Sequence, residues 1–115
     1  KADIIFQVAG GCGVGALDAA NGKNVYGIGV DADQGYLYPS VITSALKRVD
    51  TALYDTINNT INGNFSNNPP KFDLAHDGVG YATPSSAVPA DAVAKAQTFA
   101  DQIRSGALTP PDTIS

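Results

Sequence analysis

Four glycines crowd into the six residues Gly10-Gly11-Cys12-Gly13-Val14-Gly15, directly behind the apolar run Ile4–Val8 and ahead of Ala16, Leu17, Ala19 and Ala20. No other feature narrows the fold as much. Ile4–Val8 reads as a strand buried on both faces of a parallel sheet. Glycines at its end allow a tight turn and close backbone approach, and Ala16 to Ala20 read as a short helix that Asn21-Gly22 ends. A second apolar run, Val25 to Val30, then completes a right-handed βαβ unit. The glycine turn and Asp31, which closes that run, are thereby expected at the same edge of one sheet.

Further along, Val41-Ile42-Thr43 is β-branched and predicts a short strand. Val49, Ala52, Leu53, Thr56, Ile57 and Ile61 recur at helical spacing, with Gly63 at the stop. Asn64 to Pro70 reads as an exposed linker. Phe72–Ala75 and Val79–Ala82 read as two strand pieces around the turn His76-Asp77-Gly78. Ala92, Val93, Ala96, Phe99, Ala100 and Ile103 predict a last amphipathic helix ended by Gly106, with a frayed tail from Pro110-Pro111. Three or four strands and three helices make an α/β unit, a single domain over residues 1–115, but are few for a complete doubly wound domain. The chain is therefore expected to be part of a larger protein.

Charge and composition exclude several functions. The net charge is −4 with only seven Lys and Arg, so the basic patch that nucleic acid requires is missing and none is expected as a partner. One cysteine and one histidine cannot build the usual zinc sites, and no metal is expected. The glycine turn has neither the G-x-G-x-x-G spacing of dinucleotide sites nor the Gly-Lys-Ser/Thr of a P-loop, which disfavours a nucleotide-dependent enzyme.

What remains is a binding edge. Asp31 and Asp33 follow the second strand, where open α/β sheets bind ligands, and an ionised carboxylate there accepts hydrogen bonds from vicinal hydroxyls such as those of ribose. For Asp33, stabilising a turn is an equal alternative. Lys47 either donates to a ligand at the same edge or forms a solvated pair with Arg48. Cys12 reads as a small packing or ligand-lining residue, since no motif links it to His76.

Three ordered stretches also carry a resemblance: Ala2–Gly11, Gly27–Gln34 and Thr43–Asp50, followed by Asp77-Gly78-Val79-Gly80-Tyr81. Together they resemble the basic membrane protein family, the purine nucleoside receptor type of bacterial solute-binding lipoproteins. The resemblance implies the later part of the C-terminal lobe of a type I periplasmic-binding-protein fold. It also implies no catalysis and no cofactor, a purine nucleoside ligand held in an interlobe cleft, and an ABC transporter permease as partner. The N-terminal lobe would be missing, and the location would be extracytoplasmic, as a membrane-anchored lipoprotein or in the periplasm. Carried over to this chain, the ligand-binding residues are Gly10, Gly11, Asp31 and Lys47. The family more often has threonine or serine where Cys12 stands, so a hydroxyl is lost there.

Overall fold

The computed structural model describes residues 1–68 and 71–111. Along the chain come β1 (Ile4–Phe6), a 3₁₀ turn (Gly10–Cys12), α1 (Gly13–Gly22), β2 (Tyr26–Asp31), β3 (Val41–Lys47) and α2 (Val49–Ile61). A second 3₁₀ turn (Leu74–His76), β4 (Val79–Tyr81) and α3 (Ala90–Arg104) complete the order. The strands form one sheet in the order β1-β2-β3-β4, parallel from β1 to β3 with β4 antiparallel to β3. This is the expected α/β fold. No helix among the described residues is long and apolar enough to cross a membrane.

The core is small and centres on α1. Leu17 is fully buried, and a side chain at Gly27 would come within 2.7 Å of its Cδ2, so the bare backbone of β2 lets Leu17 press onto the sheet. Burying a leucine this completely contributes about 2 kcal/mol. Ala20, Val41, Ile42, Ala82 and Ala100 are the other buried apolar residues. Toward the C-terminus, α3 lies over β4 and the second 3₁₀ turn, with Ala96, Phe99, Ala100 and Ile103 facing Leu74, Val79 and Tyr81.

Several sequence expectations need correction. β1 stops at Phe6 and is not buried on both faces, because Ile4 and Phe6 are about half exposed. Side chains alternate along a strand, and Ile5 is the one turned toward Ala16, Ala19 and Ala20 of α1. Ile4 and Phe6, paired with Tyr26 and Ile28, lie on the opposite face, which among the described residues is left open. The left-handed residue behind α1 is Asn24 rather than Gly22. β3 runs four residues past Thr43, since Ala45, Leu46 and Lys47 gain Tyr81, Gly80 and Val79 as antiparallel partners.

Phe72–Ala75 is not a strand. Asp73 caps a 3₁₀ turn there, accepting hydrogen bonds from the amides of Ala75 and His76. Of the linker read over 64–70, residues 64–68 are exposed as expected, and Pro69 and Pro70 lie outside the described residues. So does the frayed tail beyond Pro111.

Candidate functional site

Parallel pairing fixes where the chemistry gathers. Because β1, β2 and β3 run the same way, the glycine turn after β1, Asp31 at the end of β2 and Lys47 at the end of β3 all stand at the carboxyl edge. Asp31 is the last residue of β2 and Lys47 the last of β3, so both lie on the strands rather than just beyond them. The Lys47 ammonium Nζ lies 2.8 Å from Asp31 Oδ1. Each side chain is at least half exposed, so the pair adds little stability but remains open to a ligand. A carboxylate offers about four lone-pair positions, and Lys47 uses one side of it.

The backbone at Asp31 is unusual. Its φ of 69° is left-handed, and the Ala32 amide donates to the Val30 carbonyl at 2.9 Å, closing a three-residue γ-turn around it. A γ-turn with positive φ is rare and strained, and a non-glycine residue there costs about 1 kcal/mol or more. The strain falls on the aspartate that sequence reasoning put forward for the ligand. Around it lies an open groove of about 570 Å³ lined by Asp31, Ala32, Asp33, Leu46, Lys47, Arg48, Val49 and Asp50. Such a volume is in the range of small-molecule sites.

Other site residues take different parts. Asp33 Oδ1 accepts the Gly35 amide at 2.9 Å, the turn-stabilising role. Lys47 and Arg48 separate: Lys47 turns to Asp31, while Arg48 makes a two-point pair with Asp50 and holds that carboxyl below the usual carboxylate range. Gly10 and Gly11 do not line the groove; they stand exposed in the 3₁₀ turn after β1. Gly10 has φ 53°, whereas a side chain at Gly11 would meet nothing within 4 Å, so nothing inside the chain requires glycine at Gly11. Cys12 is exposed and free.

Three polar residues escaped the sequence reading: Gln7, Gln34 and Ser44. Gln7 Nε2 donates to Gln34 Oε1 at 2.9 Å, and the Gln34 amide donates to Ser44 Oγ at 2.9 Å. The available signal was a glutamine inside an otherwise apolar strand run. Among the described residues no three histidine, cysteine or acidic side chains gather as metal ligands would.

Residues 1–113 match the family described as ABC transporter substrate-binding protein PnrA-like, or Bmp. This chain belongs to the Bmp family. A relative from Lactococcus lactis, the ABC transporter nucleoside-binding protein BmpA, is 35% identical across 95% of this chain and 36% of its own length. The CD4+ T-cell-stimulating antigen of Listeria innocua is 32% identical across 96% of this chain and 36% of its own. The Bmp chain therefore spans about a third of the length of these curated relatives.

Solved structures agree on the fold. A transcriptional activator of the comK gene from Bacillus halodurans superposes with a TM-score of 0.85 at 19% identity, over 95% of the Bmp chain and 39% of its own. An ABC transporter solute-binding protein from Aeropyrum pernix superposes at 0.76 and 24% identity, over 95% of the Bmp chain and 41% of its own. The described residues take an α/β fold with a mainly parallel sheet, of the type I periplasmic-binding-like kind.

Proposed function

We propose that this chain is the later part of the C-terminal lobe of an extracytoplasmic solute-binding protein that captures a purine nucleoside and delivers it to an ABC transporter permease. In this reading Asp31 accepts the ribose hydroxyls, Lys47 neutralises and steers the carboxylate, and Gly10 and Gly11 let the ligand approach the backbone. The observation that carries it is the Asp31–Lys47 pair, set by a strained turn at the carboxyl edge of a parallel sheet and facing an open groove. Membership of the Bmp family and the nucleoside-binding name of the Lactococcus lactis relative support the ligand class. The open face of β1 and β2, and the exposed Val49, Leu53, Ile57 and Ile61 along one face of α2, fit a lobe that meets further polypeptide of the same protein, the N-terminal lobe included. Anchoring as a membrane lipoprotein or residence in the periplasm follows from the same assignment.

A ligand sensor built on the same fold is the second reading, since one structural neighbour is titled a transcriptional activator. At 19% identity that likeness concerns the fold alone, and family membership favours transport. Calorimetry on Asp31→Asn decides the site: the change should weaken adenosine by about tenfold, the scale of one strong hydrogen bond, and leave adenine nearly unchanged. Equal loss for both would remove Asp31 from the ribose.

A further inference from the structure

β1 and β2 are joined by their ladder only as far as the Phe6–Ile28 pair. Beyond it the two strand ends carry the two halves of the proposed site, the glycine turn on one side and the Asp31 turn on the other. Side-chain amides continue the connection. The Ala9 amide donates to Gln7 Oε1 at 3.1 Å, Gln7 Nε2 donates to Gln34 Oε1, and the Val30 amide donates to that same Gln34 oxygen at 3.0 Å. Gln34 is fixed in turn by its backbone bond to Ser44 Oγ on β3.

The surroundings are cut to fit this chain of bonds. Gln7 is 4% exposed and Ser44 fully buried. A side chain at Gly13 would lie 1.7 Å from Gln7 Oε1, and one at Gly29 would lie 2.4 Å from Ser44 Oγ and 2.8 Å from Gln34. Gly13 at the start of α1 and Gly29 in β2 thus make room for the amides. Val30 is also the residue whose carbonyl closes the turn around Asp31. The Gln34 oxygen therefore holds, through the Val30 amide, the backbone unit that presents the carboxylate.

We infer that Gln7 and Gln34 form a part-buried amide strut that holds the glycine turn and the Asp31 turn at one separation, and that they are the positioning residues of the ligand site. The inference rests on the nucleoside reading for its ligand but not for its geometry. A ligand touching both turns needs their spacing fixed to within about 0.5 Å, and supporting hydrogen bonds of this kind supply that.

The test uses the complete two-lobed protein labelled with 15N, with amide hydrogen exchange as one arm and an adenosine titration as the other. Gln34→Leu removes the shared acceptor and should raise exchange at both Val30 and Ala9. The Ala82 amide, bonded to the Ser44 carbonyl, should stay protected. Adenosine should bind about tenfold more weakly, the scale of one hydrogen bond. Gln34→Glu keeps acceptor oxygens and should hold both amides protected with affinity unchanged. If Gln34→Leu does not fold, Gln7→Met, which cuts the strut at its other end, should raise exchange at the same two amides. Exchange rising at Val30 while Ala9 stays protected would overturn the strut, and unchanged affinity with both amides exposed would overturn its positioning role. A complete, unaltered two-lobed protein that binds no adenosine at all would sink the nucleoside reading instead, with the exchange arm still deciding the strut.

Discussion

Helices α1 and α2 each follow a parallel strand in the chain and each carries an apolar face, but among the described residues only α1 of the two has something to lay that face against. In α1, Leu17 and Ala20 are buried against β1 and β2. In α2, Val49, Leu53, Ile57 and Ile61 recur every four residues along one face, and they are 58, 60, 51 and 78% exposed. No residue of α2 is buried, and it packs extensively on no other element of the described chain. Helical periodicity states that a face is to be covered; it does not state by what. Large contiguous apolar surface of this kind marks an interaction site. Here it runs along the helix next to the proposed ligand groove, of which Val49 is itself a part.

The comparison breaks most readily at the core. Leu17→Ala should lower the stability of the chain by about 3 kcal/mol, the usual cost of emptying a packed leucine site, while Leu53→Ala should change it by less than about 0.5 kcal/mol. Urea unfolding of the two variants measures both, and similar losses would mean that α2 is packed after all. Within α1 the contrast sharpens between neighbouring glycines. Gly13→Ala must push the Gln7 amide off its partners and should cost about 2 kcal/mol. Gly15→Ala meets nothing within 4 Å and should gain about 0.5–1 kcal/mol from helix propensity. A loss from Gly15→Ala in the same urea series would show a contact that the fold does not contain.

Acid gives the smallest and most local effect. Asp73 is held below the usual carboxylate range, chiefly by its hydrogen bond to His76, and Asp50 by its pair with Arg48. A carboxyl whose folded pKa is depressed stabilises the fold above its unfolded value of about 4, and that contribution is lost as pH falls through the lower folded value. Asp50 is exposed and Asp73 about half exposed, so the loss should stay local. As pH falls below about 4 the first turn of α2 and the Leu74–His76 turn should loosen, while α1 and the β2–β3 ladder hold. Residue-by-residue backbone chemical shifts record this, and α1 loosening first would reverse the ranking.

The same contrast explains what was legible in the sequence. Helix ends were, because Gly63 and Gly106 take left-handed φ values of 75° and 76° that are set by local chemistry. The βαβ unit was too, since both of its strands and its helix lie within one stretch of chain. The exposure of β1 was not, because an apolar run looks alike whether or not a neighbour covers it. Nor was the length of β3, which depends on β4 more than thirty residues later. At the site, Asp31 and Lys47 were legible as strand-end charges. Their ion pair and the γ-turn at Asp31 were not, and Gln7, Gln34 and Ser44 meet only once the strands are side by side.

Capture of vicinal hydroxyls at Asp31 is the centre of the account, and one ligand comparison reaches it without altering the protein. Adenosine and 2′,3′-dideoxyadenosine share the base and differ in those hydroxyls. Titrated against the complete two-lobed protein by calorimetry or NMR, adenosine should bind at least about tenfold more tightly, the scale of one lost hydrogen bond to a charged group. Equal affinity for the two would contradict the assignment of Asp31 and its turn to the sugar.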